Sequence, residues 1–423
     1  MPSRKIKKSR KNRIAILHYS YPPVVGGVEF VMEGHANLLA EMGFPVKIIT
    51  ATGGEENSNP NIEIAKISEI DSSNPVIKKC FQKDGSIKKT EFELAKKLLK
   101  KKLAKSLSGV SKCFVHNIMT MHFNTVLTAA IFDLMDELKN IKFIVWCHDA
   151  SLINLDYHFR LKNEYPLNLL GKINRKAKYV TISKERQKQI AELFGVKKNL
   201  IKSVPNGIDI KKLLNIDSEI WKFASDFGFF EKDIIALFPT RILERKNIEK
   251  GIDIICELKN LGLKVSYVIT GMPDPHNKAT AKYYDFLRKY IKKKKVEKDV
   301  IFVADTKQSD GSKFKIDLNK LRSLYNLCDI LLMPSKQEGF GLPLLEAGIF
   351  RMPIFCSNVS PLPDIFAENA NYFELKESPA KIAKHIASVC DNDSAFKNFK
   401  KVMLDYSWPS IYKKHIHKLI SQK

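Results

Sequence analysis

The sequence predicts an α/β protein made of two doubly wound, Rossmann-like domains that face a shared cleft. Three observations carry this. At 423 residues the chain exceeds one hydrophobic core, since cores stop growing at roughly 250–300 residues. Short continuous apolar runs alternate with amphipathic stretches, the pattern of βα units whose parallel strands are covered on both faces. That series occurs twice, on either side of a polar stretch near Asn206–Asp233, which sets domains at 1–212 and 213–406.

In the first series strands are expected at Arg13–Tyr19, Val46–Thr50, Cys113–Asn117, Lys142–His148, Tyr179–Ser183 and Leu200–Val204, with helices at Val28–Met42 and Phe123–Leu138. In the second, strands are expected at Ile234–Thr240, Lys264–Thr270, Val300–Asp305, Ile330–Ser335, Met352–Ser357 and Asn371–Leu375. Helices at Asn247–Leu261, Ala279–Lys293, Leu318–Leu327, Leu342–Phe350 and Pro379–Val389 fill the gaps. In such folds the strands' C-terminal ends carry the ligands.

Charge favours anionic partners: 71 Lys+Arg against 46 Asp+Glu leaves +25. The excess is mostly lysine spread along the chain, so a purely compositional origin stands beside a functional one. Seven dispersed cysteines without a C-x-x-C pair point to buried free thiols in a reducing compartment. The basic start, MPSRKIKKSRKN, precedes an apolar run too short for a signal peptide, and no stretch reaches the ~20 apolar residues of a membrane span. The expectation is a cytoplasmic protein, at most peripheral on a membrane.

Lys88–Lys105 forms a basic amphipathic helix with Phe92, Leu94, Leu98, Leu99 and Leu103 near one side. Such a helix either lies on an anionic membrane or, more commonly, packs its stripe on the domain core. The run Lys289–Lys298 has few apolar anchors and reads as solvated.

The chemistry concentrates in loops. Glu338-Gly339-Phe340-Gly341-Leu342-Pro343-Leu344-Leu345-Glu346 follows a strand and opens a helix. Its glycines allow a sharp turn and close approach to a ligand, and the helix start favours anions. Glu338 and Glu346 offer charged acceptors suited to sugar and ribose hydroxyls. Arg241-x4-Lys246 follows the first strand of the second series and sets two cations where they converge on one diphosphate. Pro22-Pro23-Val24-Val25-Gly26-Gly27-Val28-Glu29 makes a strand–turn–helix that is not a dinucleotide fingerprint. His148-Asp149 ends a strand, and Val204-Pro205-Asn206-Gly207-Ile208-Asp209 closes the first series on a turn.

Together these segments resemble the retaining GT-B glycosyltransferases of family 4. The likeness covers most of the chain, and its most specific feature is the E-x7-E element EGFGLPLLEA in register with R-x4-K. The resemblance implies that Glu338 contacts the donor sugar and Glu346 the nucleotide ribose. Gly339, Phe340, Gly341 and Leu342 then line the donor site, and Arg241 and Lys246 bind the diphosphate. By the same resemblance Gly26 and Gly27 close over the donor phosphates, and His148 stands near the reacting centre. Tyr21 falls on the acceptor side, and Asp149 either orients His148 or meets the acceptor. Residues 1–212 become an acceptor domain and 213–406 a donor domain, with Tyr406-Ser407-Trp408 opening a helix, 407–423, that packs back on the first.

The implied activity is transfer of a hexose, mannose or glucose, from a nucleotide-diphosphate sugar to a hydroxyl acceptor, with no cofactor and no required metal. The acceptor stays open among a small polar molecule, a glycolipid and a polysaccharide. Asp391-Asn392-Asp393 imitates a metal-binding D-x-D but sits between helices and reads as a turn. Gly271–Asn277 is a long loop for its position and shapes a pocket or merely stiffens a connection. The rivals are a nucleotide-sugar 2-epimerase-like enzyme and a non-catalytic module for anionic polymers. Sparse aromatics within the basic runs disfavour nucleic acid.

Overall fold

The computed structural model describes residues 13–55, 57, 59–157, 164–272 and 278–421. The basic start, and residues 273–277 of the long loop, lie outside the described residues. The chain divides into two compact units, Met1–Ile208 with Ile411–Lys423, and Asp209–Ser410. Local bonds explain where the divisions fall. Asp209 caps the turn Ile210–Leu213 by accepting from the Lys212 amide (2.9 Å), and Ile210 joins the second unit's core. Ser410 is held in that unit by Met403 O (3.1 Å) and Phe230 O (3.4 Å).

The first unit is a seven-stranded parallel sheet ordered β3-β2-β1-β4-β5-β6-β7. Its strands are β1 (Arg13–Leu17), β2 (Val46–Thr50), β3 (Ile62–Lys66), β4 (Val110–His116), β5 (Lys142–Cys147), β6 (Lys178–Thr181) and β7 (Ile201–Ser203). Around it pack helices α1 (Gly27–Glu41), α2 (Lys89–Ser106), α3 (Thr125–Glu137) and α4 (Lys184–Leu193). The central strands are buried along almost their whole length, as both-face coverage demands. Strand β3 is absent from the sequence expectation. It is an edge strand reading IEIAK, half exposed, with too little apolar content to stand out. In α2 the core takes Phe92, Ala95, Leu99 and Leu103, whereas Leu94 and Leu98 face outward, 65% and 38% exposed. The helix therefore packs on the domain, and two of its five expected anchors do not.

The second unit has a six-stranded parallel sheet ordered β10-β9-β8-β11-β12-β13. The strands are β8 (Ile234–Phe238), β9 (Val265–Ile269), β10 (Val300–Phe302), β11 (Ile330–Met333), β12 (Ile354–Ser357) and β13 (Asn371–Phe373). Its principal helices are α5 (Ile248–Asn260), α6 (Lys278–Lys294), α7 (Leu318–Leu327), α8 (Leu342–Ile349), α9 (Pro379–Asn392) and α10 (Ser394–Lys401). The polar stretch before β8 is not featureless. Ser218–Asp226 is a helix that buries Ile220, Phe223 and Ala224, with Asp217 capping it. Asp393 likewise accepts from the Ala395 and Phe396 amides at the start of α10, a cap that accounts for the D-x-D sequence.

One buried ion pair anchors the end of this unit. Lys400 Nζ lies 3.0 Å from Asp329 Oδ2, with side chains 7% and 0% exposed, and Asp329 also accepts from the Ile235 amide (2.7 Å). Burial raises the Asp329 carboxyl, and the lysine opposes that shift. The pair fastens α10 to the start of β8 and β11. Among the described residues no helix is long and apolar enough to cross a membrane. All seven cysteines are free thiols, six of them buried.

Candidate active site

In the second unit the loops after β8 and β11 are clamped together. After β8 the chain passes Thr240-Arg241, makes a tight turn at Glu244–Lys246 and enters α5 through Asn247, which adopts φ 52°. That turn buries Lys246 and aims its Nζ between Glu338 Oε1 (2.6 Å) and Oε2 (2.8 Å). The Lys336 amide donates to Arg245 O (2.7 Å), and Arg245 Nη1 donates to Gln337 O (2.9 Å) while standing 3.6 Å from Glu338 Oε2. The two sequence elements thus meet through side chains and backbone alike. Arg245 is half-exposed yet holds the second loop.

Burial depresses the Lys246 ammonium, and the Glu338 carboxylate opposes that depression. Glu338, with 6% of its side chain exposed, is the counter-charge that lets a buried lysine stay protonated. Arg241 is exposed at the end of β8. Beside it the backbone of Gly271 passes so closely that a Cβ there would lie 1.8 Å from Thr240 O and 2.7 Å from Arg241 Cα. Only glycine fits, so Gly271, the first residue of the long loop, lies against the strand end that carries Arg241.

Gly341 enters α8 at φ 99°, where a Cβ would meet Leu362 Cδ2 at 2.5 Å. Gly339 has open space around it, and Phe340 and Leu342 are exposed by 53% and 61%. An apolar and backbone-rich surface therefore lies free at the start of the helix. Within α8, Glu346 Oε2 accepts from Tyr325 Oη at 2.6 Å. Tyr325, on α7, stacks on Phe350 with centroids 5.0 Å apart and planes within 4°. Tyr325 was not a sequence candidate. Its hydroxyl fixes the glutamate rotamer from an element remote in sequence, which no local motif announces.

The first unit holds a different constellation. β5 delivers His148 to a buried position, and its Nε2 lies 2.9 Å from His116 Nδ1. His116 Nε2 continues to His35 Nδ1 at 3.4 Å, and the His116 ring stacks on Trp146 with planes 11° apart. His18 Nδ1 donates to the His116 carbonyl (2.8 Å). Desolvation dominates all four rings. His35 and His148 are pushed down to about 3, His116 well below its ordinary value and His18 also down. They are a neutral, directional row, able to relay a hydrogen-bond preference but not to carry charge at neutral pH.

Asp149 does not orient His148. Its carboxylate accepts from Asn154 Nδ2 (2.8 Å) and faces Arg186 Nη2 (3.3 Å), while its amide donates to Asn117 Oδ1 (2.8 Å). The ring's partner is His116. Tyr21 is buried at 4% exposure, and its backbone is tied to Thr52. At the glycine turn, a Cβ on Gly26 would sit 2.2 Å from Glu29 Oε2, whereas Gly27 is unobstructed. The Glu29 carboxylate accordingly folds back over the start of α1 and accepts from Ser20 Oγ (2.5 Å). An internal anion already complements that helix end.

Comparison with known proteins places the chain among glycosyltransferases. Residues 25–212 match Glycosyltransferase Family 4, and residues 219–402 match glycosyl transferases group 1. An uncharacterised glycosyltransferase of Methanocaldococcus jannaschii is 23% identical over 96% of this chain and 97% of its own. The mannosylglucosylglycerate synthase of Petrotoga mobilis is 24% identical over 82% of this chain and 84% of its own. A solved glycosyltransferase from Rickettsia africae is 17% identical, over 98% and 99% of the two chains, at a TM-score of 0.37. With one family covering its first unit and the other its second, the chain belongs to the GT-B glycosyltransferases of family 4.

Proposed function

We propose that this glycosyltransferase moves a hexose, mannose or glucose, from a nucleotide-diphosphate donor to a hydroxyl acceptor with retention of configuration. The observation that carries the reading is the Lys246–Glu338 pair, at 2.6 and 2.8 Å, which joins the R-x4-K turn to the E-x7-E loop in one place. The name of the Petrotoga relative, a mannosylglucosylglycerate synthase, supports a hexosyl transfer.

In this reading Arg241 and Lys246 receive the diphosphate and stabilise the charge that grows on it as the glycosidic bond breaks. Glu338 keeps Lys246 protonated and accepts from donor-sugar hydroxyls, while Glu346, held by Tyr325, accepts from the ribose. Phe340 and Leu342 cover the apolar face of the donor. The departing phosphate takes the acceptor's proton, so no enzymic nucleophile is needed, and His148 borders the reacting sugar.

The test is a product assay on the purified chain with UDP-glucose and GDP-mannose, with and without a sugar acceptor, followed by NMR of the new anomeric centre. Acceptor-dependent release of nucleoside diphosphate with the donor's own configuration is expected. An inverted product contradicts retention, and turnover of the donor sugar without acceptor moves the epimerase reading ahead.

A further inference from the structure

A cavity of about 460 Å³ opens in the first unit at the C-terminal ends of β1, β2 and β4. Tyr19, Ser20, Glu29, Asp71, Asn117 and Phe123 are among its walls, and no lysine or arginine is among the described residues that line it. For a chain of net charge +25 this is an unusual absence. Two carboxylates face the space instead. Glu29 is pinned by Ser20 Oγ at 2.5 Å, and Asp71 accepts from the Ser73 amide (2.7 Å) and Oγ (2.6 Å). His18 also lines the cavity, 3.8 Å from Glu29, but burial holds it below its ordinary value.

A second, independent feature points to a ligand. The Tyr19 hydroxyl is buried and has no hydrogen-bond partner. An orphaned buried donor is costly, and such atoms are rare unless something else completes them. Burial raises the Tyr19 phenol, so it stays a donor across the working pH range. Its ring meets Phe123 edge-on at 6.0 Å, and Phe123 is 42% exposed, leaving an aromatic surface at the cavity.

Resting on the glycosyltransferase reading, we propose that this cavity is the acceptor subsite and that it takes a neutral, polyhydroxylated acceptor of sugar type. Glu29, Asp71 and Asn117 receive the hydroxyl protons, the Tyr19 hydroxyl donates to a ring or hydroxyl oxygen, and the C–H face of the sugar lies on Phe123. The same two carboxylates exclude phosphorylated and carboxylated acceptors by like-charge repulsion without a cation to offset it.

The experiment compares matched acceptors on the full chain with UDP-glucose and GDP-mannose as donors. The acceptors are methyl glucoside and methyl mannoside against glucose 6-phosphate and mannose 6-phosphate, read as kcat/KM for nucleoside diphosphate release. The neutral partner of each pair is expected to be better by about tenfold or more, the scale of one misplaced charge. Glu29→Gln, which keeps the shape and the Ser20 bond, should narrow that ratio at least about fivefold, and Tyr19→Phe should raise KM for the methyl glycosides with kcat little changed. A phosphorylated acceptor that is equal or better, or a ratio that Glu29→Gln leaves unchanged, overturns the proposal. Heat stabilisation by UDP or GDP, measured on the same samples, separates the two levels. If a nucleotide stabilises and the neutral preference is absent, the acceptor class alone fails; if no nucleotide binds and no donor turns over, both readings fall together.

Discussion

The two units share a wiring diagram and differ in the chemistry at their strand ends. In each, the first strand lies centrally, with strands two and three to one side and four onward to the other. Above the second sheet the loops present Arg241, Arg245 and Lys246, with Glu338 as internal counter-charge. Above the first lie four buried neutral histidines and the carboxylates of Glu29 and Asp71. A fold that offers the same loops twice has been given cations in one copy and acceptors of hydrogen bonds in the other. The lesson is that topology fixes where a ligand is received, and only the loop residues say which ligand.

The largest effect expected from breaking this contrast is on the cationic side. Lys246→Ala, or Arg241→Ala, should lower kcat by about 10²–10³-fold, the usual cost of one electrostatic stabiliser of a leaving charge, with the fold intact by circular dichroism. Turnover within a few-fold of wild type in both variants places the diphosphate elsewhere. The pH profile sharpens the same point. Because burial lowers the Lys246 ammonium, the alkaline limb of kcat/KM should fall at a lower pH than free lysine would give, and Glu338→Gln should shift it lower still.

Next in size is the anchor of the second unit. Lys400→Met leaves the Asp329 carboxylate buried without its partner and should cost about 3–5 kcal/mol of stability, measured by urea unfolding. Replacing both, as Asp329→Leu with Lys400→Met, should recover much of the loss, since two apolar groups leave no charge behind.

The histidine row predicts an acid-sensitive first unit. Its rings stay neutral when folded but take a proton near their ordinary value of about 6.5 when unfolded. The unfolded chain therefore binds more protons, and stability falls as pH drops from about 6.5 towards 3, by roughly 2 kcal/mol per fully buried ring at pH 5. His35→Phe should flatten the dependence of Tm on pH between 7.5 and 5. An unchanged slope shows that the rings do not carry it. The smallest effect is Tyr325→Phe, which deletes one hydrogen bond to Glu346 and should weaken nucleotide binding by about 1 kcal/mol, or fivefold.

Much of this was legible in the sequence. β2 and α7 fall on their expected residues, and the other expected strands match within a few positions, because continuous apolar runs leave little choice for strands covered on both faces. β3 was hidden by its polar edge, and the helix Ser218–Asp226 by charges that mask a three-residue apolar stripe. At the site, Lys246 and Glu338 announced themselves through spacing next to a strand end. Tyr325, His35 and the bond that ties His148 to His116 did not, since each works through a neighbour brought close only by folding. Asp149 shows the converse. It stands beside His148 in sequence yet spends its bonds on Asn154 and Arg186.

The central claim, that the second unit's cations and glutamates hold a nucleoside diphosphate, is tested most directly by heat unfolding of the full chain with UDP, GDP and ADP, beside Arg241→Ala and Glu346→Gln. One diphosphate at about 100 times its Kd should stabilise the wild type by about 2.7 kcal/mol and stabilise both variants less. No stabilisation by any of the three, or equal stabilisation of wild type and variants, contradicts the claim.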